Sequence, residues 1–216
     1  HWKVHLWRPE LFHIIFWTAA YQHIISNASQ KFRTLKTEII FDSPSNNIYE
    51  EDKYQIEESL RFSNYDDLLN SESVDAVYIS TPHTLHAELS IKAAGKGKHI
   101  LCEKPAAVNF KEGQKVIKAV TDAGVFYKEG FMYRCHPQIP ALLDLLKSKV
   151  VGNVEKITSS FGFDMTKVIP EHRLFNKDLA GGAILDVGLY PVSFSRMIAA
   201  ISLGKKFINP ISINAK

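Results

Sequence analysis

From residue 54 onward, apolar and polar positions fall into short runs separated by regular punctuation. The run VDAVYIS, residues 74 to 80, is β-rich and apolar, with the pattern and length of a strand buried on both faces. Ahead of it, SNYDDLLN offers Ser63 or Asn64 as the cap of a short helix ending near Asn70. After it, TPHTLHAELSIKAAGKG spaces Leu85, Leu89 and Ala93 four apart and stops at Gly95, which predicts a helix with a glycine terminator. HILC, residues 99 to 102, reads as a second buried strand. NFKEGQKVIKAVTDAG sets Asn109 as a helix cap, with Glu112 three residues on, and closes at Gly124. VFYKEG, residues 125 to 130, completes the series as a third strand. Farther on, HPQIPALLDLLKSKVVG places Leu142, Leu143, Leu146 and Val150 on one helical face ending at Gly152. NVEKITSSFGFDM, residues 153 to 165, then alternates partly, as a half-exposed strand does.

Strand, helix, strand, helix, strand at this spacing predicts βαβ units, which pack as a parallel sheet with helices on its faces. Right-handed crossovers bring the C-terminal ends of the strands to one edge, where open α/β sheets bind ligands. Three short motifs fall there: Thr81-Pro82-His83 after the first strand, Glu103-Lys104-Pro105 after the second, and Arg134 with His136 past the third. Pro105 disfavours the α region for Lys104, so the lysine is held extended beyond the strand. An ammonium at such a crevice orients a hydroxyl and lowers the pKa of a neighbouring acid. The same residues also describe a surface turn that happens to contain proline, and spacing alone does not separate the two readings. In LAGGAILDVGLYPVSFSRMIAA, Asp186 and Tyr190 stand four apart, on one face if the segment is helical. Gly181 and Gly182 would let the backbone approach a neighbour closely before that helix. A buried aspartate bonded within the core and a tyrosine packed by its ring is the competing reading.

Composition narrows the classes. The 216 residues are 45% apolar, with 26 basic and 23 acidic side chains and a formal charge of +3. There is no Lys/Arg stripe interleaved with aromatics, so charge nominates neither nucleic acid nor any other partner. No uncharged run reaches the ~20 residues of a membrane span. Cys102 and Cys135 form no metal-binding or disulfide framework, which leads us to expect a reduced, cytoplasmic setting and no metal site. The first 50 residues break the pattern: all three tryptophans and four of the nine histidines lie within the first 23 positions, and no glycine occurs before Gly95.

YISTPHTLHAELSIKAAGKGKHILCEKPAAVN, followed by EGFMYRCHP and HRLFNKDLAGGAILDVGLYPVSF, resembles the Gfo/Idh/MocA oxidoreductases, in particular their dihydrodiol and D-xylose dehydrogenase-like branch. The resemblance runs over about residues 54 to 210. It implies an α/β fold, with a Rossmann-type parallel sheet domain over residues 1–130 whose first ~50 residues are atypical. A partial α+β domain over 131–216 would follow, with an open, largely antiparallel sheet that can serve a homo-oligomer. It also implies an NADP- or NAD-dependent oxidation of a sugar or diol hydroxyl. Carried over by position, Lys104 matches the active-site lysine, Tyr190 the proton acceptor, and Asp186 the carboxylate one turn before it. Tyrosine, with a reference pKa near ~10, needs a nearby cation to accept a proton at neutral pH, and Lys104 would be that cation. Thr81, Pro82, His83 and His86 match the loop that contacts the cofactor, Glu103 and Lys104 its neighbours near the nicotinamide ribose, Arg134 the nicotinamide pocket, and Arg173 the substrate side. GxGxxG, the turn that receives the pyrophosphate in a Rossmann domain, is absent. Two functions therefore stay open: a dehydrogenase, or a noncatalytic relative acting as a binding module after loss of the glycine-rich loop.

Overall fold

The computed structural model describes Phe62 and residues 64–165 and 167–214. Residues 1–61, with the expectations that fall on them, and Ser63 lie outside the described residues. The described residues form two units. One runs to Gly130 and resumes over Ser160–Val192; the other consists of Phe131–Ser159 and the chain from Ser193 on.

The first unit is built on strands β1 (Ala76–Ile79), β2 (His99–Cys102) and β3 (Tyr127–Glu129), hydrogen-bonded in that order and all parallel. Ala76 pairs with His99 and Ile100 with Tyr127, so the strands are in step and end together at one edge. Helices α1 (Tyr65–Asn70), α2 (His86–Gly95) and α3 (Phe110–Ala123) alternate with the strands, as the sequence pattern predicts. Local chemistry sets their ends. Asn64 Oδ1 accepts from the Asp67 amide at 2.8 Å, and Asn109 Oδ1 from the Glu112 amide at 3.0 Å. The reciprocal half of that second cap comes from Glu112, whose Oε2 accepts from the Val108 amide at 3.4 Å. Gly124 closes α3 in the left-handed conformation, φ 65°, which a β-carbon would disfavour.

The core lies where α2 and α3 pack on each other and α2 covers β1 and β2. Ile79, Ile100, Cys102, Leu89, Ala93 and Val116 are buried there. Only alternate residues of β2, Ile100 and Cys102, are buried, and on β1 only Ile79 is, so among the described residues neither strand has the burial on both faces that was expected of residues 74–80.

In the second unit, helix α4 spans Gln138–Lys147, five residues short of the expected end at Gly152. Lys149, at φ 56°, turns the chain out of the helix, which leaves Val150 exposed beside solvent. Leu142, Leu143 and Leu146 remain on the more covered face of α4. The strand expected over residues 153–165 does not form: the segment has no regular secondary structure and pairs with no described strand to make a ladder. The antiparallel sheet anticipated for 131–216 is therefore absent among the described residues. Helix α5 (Leu189–Ser202) is the last helix among the described residues, and the division between the two units falls within it, between Val192 and Ser193. Together with the segment before it, Lys177–Ser202 has the length and mean hydropathy, 1.4, of a membrane span. Ala180 at φ 57° and Gly182 at φ 119° break that segment, however, and Asp186 within it is buried in an ion pair.

Ile100 is 1% exposed on the central strand, so Ile100→Ala is expected to cost about 2–5 kcal/mol of stability. Asn109→Ala, which removes one cap, is expected to cost about 1 kcal/mol. Urea unfolding with an unchanged m-value checks both; an Asn109→Ala loss equal to that of Ile100→Ala would contradict this division between core and cap.

Candidate active site

The C-terminal ends of β1 and β2 carry Thr81 and the Glu103-Lys104-Pro105-Ala106 turn, and each residue of that turn has its own partner in the first unit. Tyr78 on β1 donates its hydroxyl to Glu103 Oε1 at 2.7 Å. Lys104 Nζ donates to the Asp186 carboxylate at 2.8 Å and to the Asp186 carbonyl at 2.7 Å. The Pro105 carbonyl lies 2.7 Å from His86 Nδ1. The Ala106 amide donates to Glu129 Oε1 at 2.8 Å. The Lys104–Pro105 peptide bond is cis.

Asp186 reaches Lys104 from a wide π turn, Ile184–Gly188, that precedes α5. The sequence reading placed Asp186 and Tyr190 one ordinary helical turn apart; the wider turn alters that spacing yet keeps both near the lysine. Lys104 Nζ is 5.5 Å from the centre of the Tyr190 ring, which also packs at 5.1 Å against Phe161. Arg173 Nη1 approaches the same Asp186 oxygen at 3.4 Å. Arg173 is held by a fold-back over the two glycines: the Gly181 amide bonds to Asn176 O at 2.9 Å and the Gly182 amide to Leu174 O at 2.8 Å. A β-carbon at position 181 would sit 2.7 Å from the Arg173 and Asn176 carbonyls, so only glycine fits. The close approach foreseen for Gly181 is thus to the chain itself.

Electrostatics follow from this packing. Burial pushes the Asp186 carboxyl up, but Lys104 and then Arg173 outweigh it and hold the group below the usual aspartate value. Burial drives His83 toward its neutral form; its Nδ1 lies 3.5 Å from the Ala180 carbonyl, which opposes that shift. Burial, reinforced by Glu103, raises the Tyr78 phenol.

The first unit brings together Thr81, Pro82, His83, Glu103, Lys104, Arg173, Asp186 and Tyr190. Pro82 opens the one-turn 3₁₀ helix His83–Leu85, its carbonyl accepting from the Leu85 amide at 2.9 Å. His86 differs from expectation: its ring is 1% exposed and both nitrogens face carbonyls, so it is not presented to a ligand. Arg134 belongs to the second unit, in the 3₁₀ turn Met132–Cys135, where its Nη2 donates to Ser193 Oγ at 2.9 Å. Sequence reading missed Tyr78 and Glu129. A polar group inside each of two short apolar strands was the available signal, and it becomes meaningful only once the register is known. An apolar recess beside β1, lined by Tyr65, Leu69, Val77 and Leu89, touches Thr81 but not Lys104 or Tyr190. It flanks the terminal strand of the described sheet, and the polar groups along it are the hydroxyls of Tyr65, Tyr78, Ser80 and Thr81.

In the wild-type chain Asp186 contributes stability above its unfolded value near ~3.9, and that contribution is lost as pH falls through its lower native value. Lys104→Ala leaves burial opposed by Arg173 alone, so the native carboxyl rises and the folded state becomes the one that takes up a proton. The variant is expected to lose about 3 kcal/mol near neutral pH and to recover part of it toward about pH 5, as linkage requires. Urea melts at the two pH values decide; parallel losses would show that burial does not govern Asp186.

Residues 17–131 match the family model GFO_IDH_MocA, described as an oxidoreductase family with an NAD-binding Rossmann fold. The D-xylose 1-dehydrogenase (NADP(+)) 2 of Haloferax volcanii is 41% identical over 136 residues, 63% of this chain and 41% of that protein. The trans-1,2-dihydrobenzene-1,2-diol dehydrogenase of Xenopus tropicalis is 34% identical over 137 residues, 63% of this chain and 41% of that protein. Among solved structures, the aldose-aldose oxidoreductase of Caulobacter crescentus, complexed with glycerol, superposes with a TM-score of 0.66 at 28% identity, covering 72% of this chain and 47% of that one. The chain thus spans 41% of the length of these two curated relatives. With its in-step parallel strands and the Glu103-Lys104-Pro105 turn at their edge, the chain belongs to the Gfo/Idh/MocA oxidoreductase family, with an NAD-binding Rossmann fold.

Proposed function

We propose that the protein is an NADP- or NAD-dependent dehydrogenase that removes hydride from a hydroxyl-bearing carbon of a sugar or diol. The observation that carries this reading is the Lys104 ammonium, anchored on Asp186 at 2.8 Å and 5.5 Å from the Tyr190 ring, at the C-terminal edge of a parallel sheet. Two of the three ammonium donors go to Asp186, which leaves a third for a substrate hydroxyl or for the Tyr190 oxygen. Tyr190, as the phenolate that the Lys104 ammonium stabilises, takes the hydroxyl proton and becomes the neutral phenol as hydride leaves the carbon, and Asp186 keeps the ammonium aimed. Arg173, more than half exposed beside Asp186, supplies donors for a further substrate oxygen. The relatives' names, a xylose dehydrogenase and a dihydrodiol dehydrogenase, support vicinal hydroxyls as the substrate class.

The residues present fit the nicotinamide end of a dinucleotide. Thr81 Oγ1, at the strand edge, is buried with no hydrogen-bond partner, an atom that a bound ribose or carboxamide would satisfy. When bound, the nicotinamide supplies the hydride acceptor. A second reading, a noncatalytic relative acting as a binding module, is favoured by one specific observation: no glycine stands among residues 1 to 94 to form the pyrophosphate turn.

We place the protein in a reducing, cytoplasmic setting. This is supported by two unpaired cysteines, of which Cys102 is fully buried with its thiol pushed up to about 12 by burial. Self-association into a homo-oligomer is supported by apolar side chains left exposed along residues 153–165, Phe161 and Phe163.

Titrating the full-length protein with NADPH and NADH by nicotinamide fluorescence separates the two readings: micromolar binding supports the dehydrogenase, and no binding by folded protein supports the module. Lys104→Ala and Tyr190→Phe are each expected to lower kcat for NADP-linked oxidation of D-xylose or a trans-diol by about 100-fold or more. Unchanged rates in both variants would sink the mechanism.

A further inference from the structure

The His86 imidazole is 1% exposed, and each of its nitrogens meets a main-chain carbonyl. Nδ1 lies 2.7 Å from Pro105 O and Nε2 lies 2.7 Å from Thr81 O. A carbonyl oxygen accepts and cannot donate. A neutral ring carries one N–H, so it would bond one carbonyl and set its remaining lone pair against the other at the same short distance. Only the doubly protonated ring donates to both, and charge-assisted bonds of this kind are the short ones.

The two carbonyls belong to different crossovers. Thr81 follows β1, with its buried and unpartnered hydroxyl; Pro105 follows Lys104 in the turn after β2. We propose that His86 is a positioning residue: a buried imidazolium clasp that ties the Thr81 turn to the Lys104 turn and fixes the distance between the groups each presents at the sheet edge. For its effect on turnover the proposal rests on the dehydrogenase reading; for the state of the ring it does not.

The charged groups on the elements packed around the ring have partners of their own. In the turn after β2, Glu103 takes the Tyr78 hydroxyl and Lys104 is bound to Asp186. Glu129 on β3 holds the Ala106 amide, Glu112 on α3 bonds Asn109, and Asp66 on α1 pairs with Lys92 of α2, as does Glu88. The two carbonyl dipoles therefore serve as the clasp's counter-charge. His83, whose ring meets that of His86 edge-on at 5.7 Å, is pushed toward neutrality by burial first and also by positive charge at His86, Arg173 and Lys104.

The test is nitrogen-15 NMR of the ring in the full-length wild-type protein at about pH 7.5, where an unperturbed histidine is mostly neutral, with His86 assigned through its backbone. Protons on both nitrogens are expected; a single protonated nitrogen overturns the proposal. His86→Gln, confirmed as folded, is then expected to lower kcat by roughly 100-fold while KM for the substrate moves little, as for a misaligned reacting pair. An unchanged kcat overturns the positioning role and leaves the dehydrogenase reading intact. An inactive wild-type protein sinks that reading alone, and the NMR result still decides the clasp.

Discussion

The contact on which the candidate site depends is the pair of hydrogen bonds from Lys104 Nζ to Asp186, one to the carboxylate at 2.8 Å and one to the carbonyl at 2.7 Å. An ammonium on a four-carbon stem has much rotamer freedom to lose, and a single surface ion pair does not hold it. Here both groups are largely buried, and the lysine is fixed at two points of the same residue. The second point exists because the π turn brings the Asp186 carbonyl to the lysine. The local departure from regular helix thus turns one aspartate into a two-point anchor.

The turn bearing Lys104 is held as firmly as the side chain. Glu103, Pro105 and Ala106 are tied in succession to Tyr78, His86 and Glu129, residues from β1, α2 and β3. Two strands and a helix therefore converge on one turn, and this requires the parallel strands to end in step. Register is what links the apolar pattern of the strands to the direction of the Lys104 ammonium. A shift of β2 by one residue would invert its buried set, Ile100 and Cys102, and carry the Lys104 turn away from Tyr78, His86, Glu129 and Asp186 at once.

Much of this was legible in the sequence because the signals were local. Asn109 with Glu112 and Gly124 mark both ends of α3, and HILC marks β2 to the residue. Lys104, Asp186 and Tyr190 stood out by motif, and Lys104 and Asp186 meet although they stand 82 positions apart in the chain. What escaped depended on partners distant in sequence. Residues 153–165 have the alternation of a strand, yet a strand exists only as half of a ladder, and no described neighbour supplies the other half. Glu129 and Tyr78 read as polar interruptions of short strands until the register gave each something to bond. His86 shares the TPHTLH motif with residues expected to contact the cofactor, but its place on α2 turns it inward to two carbonyls, a geometry that motif position alone does not disclose.

The lysine end and the pyrophosphate end of a dinucleotide site are physically separable. Every contact that orients Lys104 comes from residues between Tyr78 and Asp186, whereas the backbone cradle for a pyrophosphate would have to come from a glycine-rich turn, and residues 1 to 94 contain no glycine. Catalysis uses binding energy from the nonreacting part of a ligand to place the reacting part, so a weakened diphosphate grip would tell on turnover as well as on affinity. In the proposed mechanism a well-ordered Lys104, Asp186 and Tyr190 group is for that reason necessary for hydride transfer without being sufficient. The rigidity of the Lys104 turn means that such a loss would not be felt as disorder at the reacting end. It would be felt as a correctly built proton-transfer site whose cofactor arrives too seldom and leaves too soon.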